Sequence, residues 1–192
     1  MTLTQVTFYI SAAPEMKDER DALGRLVSSI PTTLGWDLVQ TPYGDQQFNP
    51  EAVLRAGVHV LVLGADIKAP VGLEWLIARR AGRSPVLFRQ ERLRTPAADA
   101  FVRDLGSVAA WRVFRDTPDL VQQVSALLAD HLLAHAAQYA LSLPEIERLR
   151  AWQKREPSAA QAPGGETRRV TDSSGVILTP ERYLPSEGTI VE

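Results

Sequence analysis

The feature that most constrains the fold is the run at residues 58–63, where His59 is the one side chain that is not aliphatic. A strand with so few polar side chains is typical of the centre of a parallel sheet, because helices cover both of its faces. Gly64 and a short loop follow, and residues 70–81 have the pattern of a helix that Gly82 closes. This order of strand, loop and helix indicates a parallel α/β domain.

The rest of the chain alternates in the same way. We predict the other strands at residues 6–10, 36–40, 85–88 and 110–114, and the helices at 14–29, 50–56, 70–81, 95–105 and 116–141. Asn49 before Pro50 is typical of a helix N-cap. The alternation predicts a three-layer α/β domain over residues 1–142, with a five-stranded parallel sheet and right-handed crossovers.

The composition changes after Glu156. We predict a charged helix at 143–156, a flexible linker at 157–168 and an extended or hairpin tail at 169–192. The tail is too short to bury a core, so it packs on the main domain, pairs with another chain or stays mobile. Extended segments of this kind suit strand addition to a partner's sheet. The candidate partner-binding residues are Trp152, Ile177 and Tyr183.

Composition excludes several classes of function. The formal net charge of −2 gives no electrostatic case for nucleic acid as a partner. The chain has no cysteine, which excludes disulfides, thiolate zinc sites and a cysteine nucleophile and fits a reducing cytoplasm. We therefore expect a cytoplasmic protein. The N-terminus lacks the pattern of a signal peptide, and the apolar runs are too short to span a membrane.

Two stretches resemble a known family. Residues 10–20 resemble the opening of the bacterial DUF4062 domains, which have a strand, Ile-Ser-Ser-Thr, an acidic residue, an aliphatic residue and Glu-Arg on the first helix. Residues 51–64 and 72–78 continue the resemblance, which covers roughly residues 5–135. Alanines replace the hydroxyl residues that the family has after the first serine. The residues that fit the opening are Ser11, Glu15, Met16, Glu19 and Arg20.

The resemblance carries expectations about fold and chemistry. DUF4062 domains are similar in fold to TIR domains and to nucleoside 2-deoxyribosyltransferases, which share a flavodoxin-like sheet and a glutamate at the start of a comparable helix. In the active members that glutamate attacks or stabilises the anomeric carbon of a nucleoside or of NAD. The resemblance therefore implies a flavodoxin-like sandwich, with Glu74 at the matching position. NAD or a nucleoside is then a possible ligand, and no cofactor is required.

Glu74 is the candidate catalytic residue. In the functional interpretation it is an ionised carboxylate that stabilises an oxocarbenium-like centre or forms a covalent glycosyl intermediate. Its predicted place, in the first turn of a helix near the mouth of a cleft, would favour the ionised form. Acidic residues are also common in first turns for structural reasons. A non-catalytic binding role is the third alternative.

Four other residues are candidates for ligand binding. Ser11 ends the first strand. Its two interpretations are contact with a ribose or phosphate and a structural role in the turn. Asp66 follows the third strand. Its two interpretations are binding of a ribose hydroxyl and a structural role as a turn residue. Tyr43 and Gln46 lie in the loop after the second strand, which would border the same cleft.

Two pairs of polar residues have structural interpretations. Adjacent residues on a helix face different directions, so we expect one of Glu19 and Arg20 to form an ion pair and the other to be solvated. His131 and His135 have a spacing that can bind a metal, but no third ligand is evident. We therefore predict no metal site and place both histidines at a helix edge.

Two classes of function follow. The first is a protein-interaction or adaptor module of TIR-like fold that assembles with itself or with a larger bacterial complex, with the tail as docking segment. A signalling role fits this class, since DUF4062 domains often stand next to signalling modules. The alternative is an NAD- or nucleoside-processing N-glycosidase, or an enzyme similar to the deoxyribosyltransferases, that uses Glu74.

Overall fold

The computed structural model describes residues 5–44 and 46–154. Five parallel strands form one sheet in the order β2-β1-β3-β4-β5. This is an α/β fold of the flavodoxin-like type, as predicted. The strands are β1 (Gln5–Ala12), β2 (Gly35–Gln40), β3 (Val58–Leu63), β4 (Val86–Gln90) and β5 (Trp111–Phe114).

Helices cover both faces of the sheet. A single tight turn of 3-10 helix (Pro14–Met16) precedes the first α-helix. At α2 the predicted N-cap is present, because the side chain of Asn49 accepts hydrogen bonds from the backbone N–H groups of Glu51 and Ala52. The α-helices are α1 (Lys17–Ser28), α2 (Pro50–Arg55), α3 (Val71–Arg80), α4 (Pro96–Gly106), α5 (Thr117–Ala134) and α6 (Leu143–Gln153).

Each face of the sheet has its own core, because successive side chains of a strand point to opposite faces. Phe8 and Ile10 on β1 pack beneath α1, α5 and α6 in the larger cluster. Tyr9 on the same strand points the other way and packs beneath α2 and α3. A third cluster around Leu61 and Leu87 lies beneath α3 and α4. The candidate site belongs to the Tyr9 face.

The longest helix is shorter than predicted. The sequence pattern predicted a helix to residue 141, whereas α5 ends at Ala134 and a series of turns follows. Ala140 has a φ of 51°, in the left-handed region, and this reverses the chain direction before α6. Because the segment is rich in alanine and leucine, nothing in its pattern indicates the break.

The charged helix α6 packs against α5. Leu149 is fully buried and Trp152 is partly buried against the larger core cluster. Glu145 accepts hydrogen bonds from the backbone N–H and hydroxyl of both Ser142 and Thr33, which closes the N-terminus of α6 onto the loop before β2. The thin apolar face of α6 therefore packs against the core of the domain.

The described residues contain no helix long and apolar enough to cross a membrane. The predicted linker at 157–168 and tail at 169–192, with Ile177 and Tyr183, lie outside the described residues.

Candidate functional site

Glu74 lies in the first turn of α3, directly after the loop that follows β3. Its side chain is fully buried, at 0% exposure, so it lies beneath the helix and not at the mouth of a cleft. The hydroxyl of Tyr9 donates to Oε1 at 2.9 Å, and the hydroxyl of Thr41 donates to Oε2 at 2.8 Å. Both carboxylate oxygens are therefore held by side chains from β1 and from the end of β2.

Burial dominates the electrostatics of Glu74. It raises the pKa of the carboxyl above 4.5, although the hydroxyls of Ser11, Thr41 and Tyr9 and the charge of Arg20 act in the opposite direction. The first turn of a helix was expected to favour the ionised form, whereas the net shift at Glu74 is in the opposite direction, with burial as its largest cause. Burial, and then the charge of Glu74, raises the pKa of Tyr9, so this phenol keeps its proton.

Ser11 and His59 form a second buried pair beside Glu74. Ser11 Oγ and His59 Nε2 are 2.8 Å apart, and the His59 ring packs edge-on against Tyr9. Burial, and then the positive charge of Arg83, lowers the pKa of His59 to about 4. The ring is therefore neutral at pH 7. Ser11 is fully buried and contacts protein groups, not the open end of the sheet.

A cleft of about 590 Å³ lies on the other side of Thr41, between the start of α1 and the loop after β2. Its volume is in the range of small-molecule sites. Among the described residues, Thr41 is the one that both lines this cleft and donates a hydrogen bond to Glu74. Two of the predicted ligand-binding residues are among those that line the cleft, which are Lys17, Arg20, Leu38, Gln40, Thr41, Tyr43 and Gln46.

Arg20 and Tyr43 stack in this cleft. The guanidinium carbon of Arg20 lies 4.2 Å from the centre of the Tyr43 ring, a cation–π contact. Glu19 accepts a hydrogen bond from the hydroxyl of Thr117 at 3.0 Å. The expectation that one member of the Glu19–Arg20 pair would be solvated is wrong, because both are buried.

Asp66 does not join this cleft. Its Oδ1 accepts two hydrogen bonds, one from the backbone N–H of Ile67 at 2.9 Å and one from the hydroxyl of Thr95 at 2.7 Å. Thr95 is also the N-cap of α4, since it accepts from the N–H of Ala98. The carboxylate therefore ties the loop after β3 to the start of α4, which corresponds to the structural alternative for this residue.

The usual ligand position of this fold is filled by the protein itself. The chain turns in opposite directions from β1 and β3, so the crevice at their carboxyl ends is the topological switch point. Glu15 Oε1 accepts there from the backbone N–H groups of Ala65 and Asp66, at 2.6 and 3.0 Å. A Cβ on Gly64 would overlap the side chains of Met16 and Glu15, so a larger residue there would require both side chains to shift.

His131 and His135 lie where α5 gives way to the following turns. His131 Nε2 and the hydroxyl of Tyr139 are 2.8 Å apart, and His135 Nδ1 lies 2.8 Å from the carbonyl of His131. Within residues 5–44 and 46–154 no three histidine, cysteine or acidic side chains are grouped to hold a metal ion.

The sequence analysis missed Tyr9 and Thr41, which hold Glu74. The alternation of β1 does indicate that Tyr9 and Ser11 share a face. The pairing of Tyr9 with Glu74 spans 65 positions, so it depends on strand order and register, which the local pattern does not contain.

Comparisons with family models, with curated proteins and with solved structures gave no match for this chain.

Proposed function

We propose that this chain is a protein-interaction or adaptor module of TIR-like fold. It assembles with itself or with a larger signalling complex in the bacterial cytoplasm, and its tail at 169–192 acts as a docking segment. The observation that carries the proposal is the enclosure of Glu74, whose side chain is 0% exposed and bonded at both oxygens. A carboxylate that acts on an anomeric carbon has to touch its substrate.

The filled switch point supports the same proposal. An enzyme of this fold usually binds its ligand at the carboxyl ends of the central strands. In this chain the Glu15 carboxylate already occupies the backbone N–H groups of Ala65 and Asp66 at that position. A ligand would have to displace a charged side chain from two hydrogen bonds.

An exposed apolar surface on α2 and α3 is the place where we propose that assembly occurs. Leu54 on α2 is 39% exposed, and Leu73 and Leu76 on α3 are 47% and 37% exposed. Residues three apart share one face of a helix, and α2 and α3 pack against each other. We call these three residues the leucine surface. A two-fold interface uses the same surface on both copies, so we propose a second copy of the chain as the occupant of this surface.

The test is the mass of the full-length chain in solution, measured by light scattering. We expect a discrete oligomer for wild type and a smaller species for the double variant Leu73→Glu, Leu76→Glu, because two charges cannot be buried in an apolar contact. Leu93→Glu is the matched control, since Leu93 is 94% exposed in the loop after β4. A wild type that stays monomeric at every concentration tested would contradict self-assembly through this surface.

The tail has a separate test. Deletion of residues 157–192 should leave the α/β domain folded by circular dichroism and should reduce the oligomer if the tail docks on a partner. An unchanged mass would contradict the docking role and leave the leucine surface as the proposed contact.

One observation favours the enzyme as second candidate. Thr41 lines the cleft and also donates a hydrogen bond to Glu74, so the carboxylate is one hydrogen bond away from the lining of a cleft of ligand size. The test is an N-glycosidase assay with NAD and a panel of nucleosides, with wild type beside Glu74→Gln. Turnover that disappears in Glu74→Gln while its circular dichroism is unchanged would establish the enzyme and refute the purely interacting role.

A further inference from the structure

Arg20 is a buried cation whose hydrogen-bonding capacity is largely unused. Arg20 is 6% exposed, yet its Nε has no hydrogen-bond partner among the described residues. Within that part of the chain its side chain makes one hydrogen bond, from Nη1 to the carbonyl of Thr41, and this bond is long at 3.4 Å. Among the described residues no carboxylate lies within ion-pair distance of it. Buried arginines are normally paired, because an isolated charge is costly to remove from water.

The surroundings hold the guanidinium in place. They leave it without an ion-pair contact among the described residues, although the buried carboxyl of Glu74 is near enough to interact with its charge. Arg20 stacks on Tyr43, whose hydroxyl donates to the carbonyl of Pro14. The backbone N–H of Tyr43 in turn donates to the side chain of Gln46 at 3.0 Å. A fixed guanidinium fork is suited to a planar or tetrahedral anion, because little conformational entropy is lost when the ligand binds.

The cleft around Arg20 is cationic. Lys17 precedes Arg20 by three positions, so both side chains lie on the same face of α1. The described part of the lining contains no carboxylate. The remaining surface is neutral: the amides of Gln40 and Gln46 provide polar contacts, and Leu38, at 37% exposure, provides an apolar one.

We propose that this cleft is a binding site for a small organic phosphate. The phosphate group lies between Arg20 and Lys17, and the organic part lies against Leu38 and the glutamine amides. A phosphate monoester carries nearly two negative charges at pH 7, which match the two cations. Its tetrahedral oxygens can accept from the guanidinium fork and from the ammonium group together. This site is separate from the leucine surface and does not depend on assembly.

The test is isothermal titration of the full-length chain with inorganic phosphate, adenosine 5′-monophosphate, adenosine and citrate. We expect the two phosphate probes to bind and adenosine to bind at least tenfold more weakly, since adenosine lacks the charged group that accepts hydrogen bonds from the two cations. Binding should weaken as the salt concentration rises. If neither phosphate probe binds, or if adenosine binds as well as its monophosphate, the proposal is wrong. Preferential binding of citrate would overturn the phosphate class in favour of a carboxylate ligand.

Two substitutions locate the site. Lys17→Gln changes an exposed side chain and should leave the fold intact while weakening phosphate binding about tenfold. Arg20→Lys keeps the buried charge but removes the fork, and should weaken binding at least as much. Arg25→Gln is the matched control, because it removes an exposed positive charge from the same helix outside the cleft. Equal loss in Lys17→Gln and in this control would mean general charge attraction and would overturn the site.

Discussion

At the scale of single residues, the enclosure of Glu74 determines what this site can do. The carboxyl has three hydroxyls around it and Arg20 nearby, and still its pKa is raised. A buried carboxyl in this state favours the protonated form more than an exposed one does. The chemistry expected of a nucleophilic carboxylate needs the opposite bias. Glu74 therefore has the environment of an internal polar group that fixes α3 against β1 and β2.

The raised pKa predicts the effect of Glu74→Gln on stability. The pKa of Glu74 is higher in the folded state than in the unfolded state, where it is about 4.5. Below about pH 4.5 the carboxyl is protonated in both states and does not lower the stability of the wild type. As the pH rises from there through the folded-state pKa, the wild type loses stability. We expect Glu74→Gln to unfold at a higher temperature than wild type at pH 7, with a smaller difference at pH 5. The measurement is thermal unfolding by circular dichroism at both pH values. A variant that is less stable at pH 7 would mean that the hydrogen bonds to the carboxylate outweigh its burial.

At the scale of elements, Glu145 shows the reverse behaviour at the N-terminus of α6. Hydrogen bonds from Ser142, and then from Thr33, lower the pKa of Glu145 from 4.5 to about 2. Its stabilising effect is complete above pH 4.5 and is lost as pH falls toward about 2. We expect Glu145→Gln to be less stable than wild type at pH 7 and closer to it near pH 2.5. Chemical denaturation at the two pH values tests this, and a difference that does not depend on pH would contradict it.

The break between α5 and α6 supplies a second prediction for an element. Ala140 has a φ of 51°, which costs a residue with a Cβ about 1 kcal/mol relative to glycine. We expect Ala140→Gly to stabilise the domain by up to about 1 kcal/mol. Ala126→Gly, in the interior of α5, should instead destabilise it by roughly 0.5–1 kcal/mol. Urea unfolding measures both, and a loss of stability in Ala140→Gly would contradict the strained turn.

The predicted and observed bounds of the elements indicate how far the local sequence pattern determines where an element ends. The strand at 58–63 was predicted with the bounds that the structure has, because an apolar run between a turn and a glycine leaves little choice. The end of α5 was predicted seven residues too late, since alanine and leucine are compatible with the helix and with the turns that replace it. Elements with clear end signals, such as Asn49 and Pro50 at α2, were predicted closely.

At the scale of the whole molecule, the layers of the sheet explain why the site was only partly predictable. Tyr43 and Gln46 were placed by the order of strands and loops, and they do line one cleft. Thr41 is 33 positions from Glu74, and Ser11 is 48 positions from His59, so these contacts appear only when strands from distant parts of the sequence lie side by side. Burial of Glu74 is likewise a property of three packed elements and not of its own helix.

In the part of the chain that the structure describes, a closed centre at Glu74 lies within a domain that also has the leucine surface on α2 and α3 and the cationic cleft beside α1. We propose that the closed centre does no chemistry at Glu74 and that a partner binds at the leucine surface. The decisive measurement for the proposed assembly is the solution mass of the full-length chain by light scattering, with the double variant Leu73→Glu, Leu76→Glu measured in parallel. We expect a discrete oligomer that the double substitution dissociates. A monomeric wild type that hydrolyses NAD or a nucleoside in a manner dependent on Glu74 would contradict it.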